Sequence, residues 1–281
     1  MRYRFLRFPE GKVKAITFSY DDGVRDDLVL ADIINKYGIK CTFNHTNTEH
    51  MTKDEVIENI ISKGHEIAVH GAEHRAEGLQ RPVEAIEDVL SCRKKLESEF
   101  DMIIRGMAYP DSGIRNLLPG VTYENIKSYL KNLDIVYART LGGDNNLFRL
   151  PEDWYAWTPT AHHANPELGN YIDDFLNIDV SKLYIAGRFP RLFYLWGHSY
   201  EFERNNNWEL LEDICSKLSG KDDIWYATNM EIYEYVNAYN SLIYSADGLR
   251  IYNPTLYTVW FETDGTLYSV KSGETICLKN N

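Results

Sequence analysis

The sequence predicts an α/β fold, a parallel sheet or a barrel, and three observations support this. Short apolar, β-branched and aromatic runs alternate with segments of helical period over most of the chain. Three of the helical segments stop at a glycine, as helices do when the next residue must turn left-handed. The residues best suited to chemistry fall where predicted strands end, which in barrel folds is the active face.

In chain order, 14–20 (KAITFSY) reads as a strand running into the turn Asp21-Asp22-Gly23. Residues 26–37 space Leu28, Leu30, Ile33 and Ile34 near a helical period and stop at Gly38. Strand-like 40–44 follows, then a helix over 52–63 with a Thr52 cap and Gly64 as its stop. Residues 66–69 form a strand entering His70-Gly71. A longer helix spans 83–100, a strand spans 103–109, a helix spans 123–133 and a strand spans 135–139. Later come a strand over 193–196 ending at Gly197-His198 and a helix over 208–218 before Gly220. Beyond about residue 240 the pattern changes to short strand-like runs at 242–245, 249–252, 258–262, 267–270 and 275–278. Turn pairs such as Asp247-Gly248 and Asp264-Gly265 separate them. The expectation is a catalytic barrel over 1–240 and a small antiparallel β appendage over 241–281, acting as a cover more than as a separate binding module.

Bulk properties narrow the function. With 281 residues and 44% hydrophobic content, the chain fills one sizeable core. A formal net charge of -12 disfavours nucleic acid and anionic membrane surfaces. Twenty Tyr and six Trp supply aromatic faces of the kind that pack on sugar rings, although most aromatics serve a core. The four cysteines (41, 92, 215, 277) form no CxxC pair, so they read as free thiols. No run of about 18 apolar residues is present and the N-terminal segment lacks a signal-type apolar stretch, so the chain as given reads as cytoplasmic. Nothing in it fixes an oligomeric state.

Three features carry chemistry: Tyr20-Asp21-Asp22-Gly23, His70-Gly71-Ala72-Glu73-His74, and His198 after Leu195-Trp196-Gly197. Histidines at i and i+4 lie on one face of a helical turn, where both can grip one metal. Taken singly, an HxxxH pair or an Asp-Asp-Gly turn is common. Two His and one carboxylate together make a frequent zinc set that leaves a position open for water. Adjacent carboxylates in different environments can divide the labour, one as ligand and one as base. A histidine from another strand can then serve as acid.

These residues, in this order, resemble the polysaccharide deacetylase family (NodB-like, carbohydrate esterase family 4). The family's [ST]-F-D-D-G motif stands here as Ser19-Tyr20-Asp21-Asp22-Gly23, and its H-[ST]-x-x-H motif as His70 to His74 with Gly71 in the hydroxyl position. Its R-x-P-[YF] motif is reduced to Ala108-Tyr109-Pro110-Asp111, without the Arg. Asp153-Trp154-Tyr155-Ala156-Trp157 fits D-x-x-x-W, and Leu195-Trp196-Gly197-His198 fits L-x-x-H.

The resemblance spans about residues 13 to 235 and implies a distorted (β/α) barrel that hydrolyses acetyl groups from sugar nitrogen or oxygen. It implies one divalent metal, zinc first and cobalt or nickel as alternatives, on Asp22, His70 and His74. It further implies Asp21 as base, His198 as acid, Asp153 hydrogen-bonded to that acid, and the backbone N–H of Tyr109 at the oxyanion. Arg139 is the candidate replacement for the missing Arg. Trp154, Trp157 and Trp196, with Leu195 and Tyr109, are the candidate substrate contacts. His45, His50, His162 and His163 are given no firm role, and His65 reads as a helix-end cation. The partner is an acetylated oligo- or polysaccharide. Two rival readings remain: an amidohydrolase of the same fold acting on a non-sugar amide, ureide or imide, and a catalytically silent sugar-binding protein.

Overall fold

The computed structural model describes residues 3–142 and 144–278. Its centre is a sheet of parallel strands. In chain order the elements up to the middle of the barrel are β1 (Arg4–Arg7), β2 (Lys14–Asp22), α1 (Asp27–Lys36), β3 (Cys41–His45), α2 (Lys53–Asn59), β4 (Glu66–Val69), α3 (Pro82–Phe100), β5 (Gly106–Ala108), α4 (Tyr123–Asn132) and β6 (Tyr137–Arg139). Then come β7 (Ala161–His162), α5 (Leu168–Asn177), β8 (Arg191–Gly197), α6 (Tyr200–Asn205), α7 (Trp208–Leu218), β9 (Ile224–Tyr226) and α8 (Asn229–Asn240). The strand order is β6-β5-β4-β3-β2-β8-β7, with β9 pairing on β2. Between β6 and β7 the sheet is closed by an irregular segment. The Trp157 N–H donates to Ala138 O on one side, and the Thr160 N–H donates to Tyr194 O on the other. The architecture is therefore the expected distorted barrel.

Two layers follow from the period-2 alternation of the strands. Ile16, Phe18 and Tyr20 of β2, Phe43 of β3, Met107 of β5, and Phe193 and Leu195 of β8 join Leu30, Ile34, Val89, Leu96 and Leu211 of the helices in the main apolar cluster. The opposite face of the same strands lines the barrel. There Thr17 donates to Asn229 Oδ1 (2.9 Å) and Asn44 donates to Ser19 Oγ (2.8 Å). Tyr137, Trp157 and Tyr194 form an aromatic plug in a second apolar cluster that includes Leu6, Phe8 and Tyr235. At the N-terminal end of the barrel, Glu66 accepts from Tyr137 (2.6 Å), Thr42 (2.8 Å) and the Met230 N–H at the start of α8 (2.8 Å). Helix α8 is absent from the sequence expectation, yet it opens on a Thr228/Glu231 capping box.

The tail forms β10 (Ile243–Tyr244), β11 (Arg250–Tyr252), β12 (Val259–Thr263), β13 (Thr266–Val270) and β14 (Thr275–Cys277), matching the five expected runs. They make two antiparallel three-stranded sheets, β10-β11-β14 and β1-β12-β13. The second recruits the N-terminal strand, a pairing that local pattern does not reveal. Arg7, 1% exposed, is held there by Glu262 at 2.8 Å. The tail rests on α8, where Tyr235 donates to Arg7 O (2.9 Å) and accepts from the Trp260 N–H (3.0 Å). All four cysteines are free. Among the described residues, no helix is long and apolar enough to cross a membrane.

Candidate active site

Consecutive strand residues normally point to opposite faces, so two adjacent carboxylates should not share a site. Asp22 breaks that rule with φ +83°, a left-handed conformation that Asp tolerates better than most residues. The turn at the end of β2 thus brings Asp21 and Asp22 to one place. Asp21 is 1% exposed and doubly held. Asn44, its register neighbour on β3, donates to Oδ1 at 2.9 Å. The Arg139 guanidinium at the end of β6 pairs with Oδ2. Arg139 is itself fully buried and lies 4.5 Å from the Trp196 ring centroid, so its charge is met by a carboxylate and an aromatic face.

Asp22 Oδ1 lies 3.4 Å from His70 Nε2 and 3.3 Å from His74 Nε2. A tetrahedral site with arms of about 2.0–2.1 Å has edges of about 3.3 Å, so these separations suit one divalent cation. Protonation agrees. His70 Nδ1 faces Ala108 O at 2.9 Å, which places its proton on Nδ1 and leaves an Nε2 lone pair free. His70 Nε2 and Asp22 Oδ1 are buried and have no hydrogen-bond partner. The donors present therefore fit a metal. Burial pushes the Asp22 pKa up, but His70 and His74 outweigh it and hold the carboxyl far below the usual range.

Gly71 has a physical reason. Its φ is +72°, and a Cβ there would fall 2.5 Å from Asp88 Oδ2. Asp88, on α3, accepts the Glu73 N–H at 2.8 Å. A carboxylate from the neighbouring helix thus holds the loop that carries the two histidines. Asp88 gave no sign in sequence beyond being an acid on an otherwise apolar helix face.

His198 follows β8, with Nε2 4.0 Å from Asp21 Oδ2 and Nδ1 3.5 Å from Glu201 Oε1. Burial draws its pKa down, yet Glu201, Asp21 and Asp22 more than offset that, and the net shift is upward. Glu201 Oε2 also meets His162 Nε2 (3.1 Å) and His163 Nε2 (3.0 Å). Hence a second His–carboxylate triangle stands beside the first.

Residues 8–156 match the model of the polysaccharide deacetylase family. The chain belongs to this family. Among solved structures, a Mycobacterium smegmatis protein assigned as a polysaccharide deacetylase superposes with a TM-score of 0.57 at 16% identity, covering 85% of this chain and 96% of that one. The PuuE allantoinase gives a TM-score of 0.57 at 13% identity, over 81% of this chain and 91% of its own. A Pseudomonas aeruginosa PAO1 protein, also named a polysaccharide deacetylase, gives 0.55 at 13%, over 81% and 92%. These likenesses establish a shared fold. A search of curated proteins returned no match.

Against the family's pattern, the structure gathers Asp21, Asp22, His70, His74, Arg139, Trp196 and His198 in one place, and it separates others. Asp153 does not meet His198. Its carboxylate binds Lys127 (2.5 Å), Tyr123 Oη (2.8 Å) and the Tyr155 N–H (2.9 Å), and the carboxylate nearest His198 Nδ1 is that of Glu201 at 3.5 Å. The Tyr109 N–H is not free for an oxyanion, because it donates to Arg139 O at 3.0 Å within the sheet. The Tyr109 side chain is buried, with its hydroxyl bonded to Tyr155 O. Trp157 is fully buried in the plug and offers no face to a sugar, whereas Trp154 is half-buried and packs at right angles against it. Leu195 faces the helix layer because Trp196 faces the barrel. His65, read as a helix-end cation, is buried, accepts the Cys41 N–H at 3.1 Å, and has its pKa lowered to about 4 by burial and Lys40.

Proposed function

We propose that this chain is a metal-dependent deacetylase acting on an N- or O-acetylated saccharide. The observation that carries the reading is the position of Asp21 Oδ2, which lies 4.0 Å from His70 Nε2 in the ligand triangle and 4.0 Å from His198 Nε2 on the opposite side. A base, a metal site and an acid then flank one small volume. Asp22, His70 and His74 would hold the cation, which when bound acidifies water and polarises a carbonyl oxygen.

Asp21, oriented by Arg139 and Asn44, accepts a proton from the attacking water as the new C–O bond forms at the acetyl carbon. His198 gives its Nε2 proton to the sugar nitrogen or oxygen as the bond from that atom to the acetyl carbon breaks. The products are acetate and a free amine or hydroxyl. Proton loss from Asp21 and proton uptake by His198 reset the site. Trp196, half-buried next to Arg139 and His198, is the aromatic best placed to meet a sugar ring.

The test is metal content together with acetate release. N-acetyl-chitooligosaccharides, acetylated xylan and peptidoglycan fragments form the panel, and allantoin is added because an allantoinase shares the fold. About one divalent ion per chain, and acetate release that disappears with chelator and in Asp21→Asn, would support the reading. Allantoin hydrolysis without acetate release would replace it with a ureide hydrolase. Metal binding with no turnover of any panel member would overturn it.

A further inference from the structure

The triangle of His162, His163 and Glu201 has the composition of a second metal site, with its ligand atoms within 4.8 Å of one another. Its hydrogen bonds exclude that use. The Ala164 N–H donates to His162 Nδ1 at 3.1 Å, so the Nδ1 lone pair is occupied and the ring proton sits on Nε2. That nitrogen lies 3.1 Å from Glu201 Oε2. A cation bound at His162 Nε2 would require the opposite tautomer and would set two N–H groups against each other. His163 Nδ1 is buried without a hydrogen-bond partner, pressed against β8 where a Cβ at position 197 would fall 2.0 Å from it. With no acceptor for a proton at Nδ1, the ring proton is placed on Nε2, 3.0 Å from Glu201 Oε2. The 3.0 and 3.1 Å separations are close ion-pair contacts.

Two imidazole nitrogens lie within 3.1 Å of Oε2, so the Glu201 carboxylate sits between the His162–His163 pair and His198, with its Oε1 facing His198 Nδ1. That contact is 3.5 Å, longer than a hydrogen bond, and His198 Nδ1 is buried with no other partner; catalytic hydrogen bonds are often this long before substrate binds. Arg204 is the other cation near Oε1, at 3.7 Å and well exposed. The remaining groups facing His198 are Asp21 and Asp22 from β2, His74 from the loop after β4, His162 from β7 and Tyr200 from α6. We propose that Glu201, anchored by His162 and His163, is the positioning residue of His198: it holds the Nδ1 proton and so presents the Nε2 proton to the leaving group. This inference rests on His198 being the acid of the proposed reaction. It assigns to Glu201, three residues after His198, a task that Asp153 is too distant and too engaged to perform.

The experiment compares wild type, Glu201→Gln, Glu201→Asp and Asp153→Asn as metal-loaded proteins, with kcat and KM measured against pH on the acetylated substrate that wild type cleaves. Glu201→Gln should lower kcat on the order of a hundredfold with KM nearly unchanged. Its alkaline limb should move about one pH unit toward acid, because the imidazolium loses its carboxylate. Glu201→Asp keeps the charge and should recover part of kcat, with the limb near its wild-type position. Asp153→Asn should leave the limb in place.

A second readout needs no turnover. Two-bond 1H–15N NMR of the histidine rings should show His198 protonated at Nδ1 and titrating at lower pH in Glu201→Gln, and His162 unprotonated at Nδ1. If Asp153→Asn moves the limb and Glu201→Gln does not, or if the His198 ring titrates identically in Glu201→Gln, the proposal is overturned. If no substrate is cleaved but the ring signals change as stated, the deacetylase reading fails and the assignment of the Nδ1 proton to Glu201 stands.

Discussion

Two His–carboxylate triangles stand beside each other at the mouth of this barrel, with nearly the same composition and opposite chemistry. In the first, His70 spends its Nδ1 proton on Ala108 O and keeps an Nε2 lone pair for a cation. In the second, His162 uses its Nδ1 lone pair to accept the Ala164 N–H and keeps its proton on Nε2, 3.1 Å from Glu201 Oε2. One backbone carbonyl and one backbone amide make the difference. Composition and spacing therefore do not identify a metal site until the far nitrogen of each ring has been accounted for.

The largest expected effect would break or confirm this contrast directly. His70→Ala should take metal content from about one ion per chain to near zero and reduce kcat/KM on the order of a thousandfold or more. His163→Ala should leave metal content at about one. Elemental analysis of both proteins checks this, and loss of metal from His163→Ala alone would invert the assignment of the two triangles.

The next effect concerns the support of the first triangle. Gly71→Ser restores the residue usual in the family, yet it places a Cβ 2.5 Å from Asp88 Oδ2 at a φ of +72°. It should cost about 1–3 kcal/mol in stability and weaken metal binding roughly tenfold. Thermal melts and metal titration measure both, and a gain in either would show that Asp88 does not hold this loop.

A third prediction uses acid–base linkage. Burial raises the Glu66 carboxyl from the usual 4.5 to about 7 despite its three hydrogen bonds. The folded protein then binds a proton there that the unfolded chain releases. This contribution is complete below about pH 4.5 and is lost as pH rises through about 7. Glu201 has the opposite sign. Burial raises its pKa, but His162, His163 and His198 drive it far below the usual range, so its contribution is present above 4.5 and lost on acidification. Denaturant midpoints between pH 5 and 8 should fall with rising pH in wild type and flatten in Glu66→Gln by about 1–3 kcal/mol.

The smallest effect is expected at Asp153. Its solvent-screened pair with Lys127 adds little to stability, so Asp153→Asn should produce only a slight shift in unfolding midpoint.

Most of the fold was legible because strands β2 to β6 and their helices carry strong periodicity with glycine stops. The clustering of Asp22, His70, His74 and His198 was legible because each sits within a few residues of a strand end. What escaped depended on strand parity or on distant partners. Leu195 and Trp196 cannot both face a substrate, and counting by two along β8 would have said so. Arg139, the candidate stand-in, pairs with Asp21 from the end of β6, a contact that only the folded barrel reveals. Asp153 fitted a spacing, but the loop that carries it packs on α4. Glu201 had one visible sign, its place three residues after His198, and the residues that give it meaning lie almost forty positions upstream.

The pairing of β1 with β12 has a consequence for how the chain is made. Arg7 reaches its partner Glu262 across 255 positions, so β1 finds its sheet partner only after β12 has left the ribosome. Every strand and loop of the mouth is translated before then. A product truncated before residue 259 would display an unpaired edge and an uncompensated buried-type arginine, which are marks that proteolysis and aggregation both act upon.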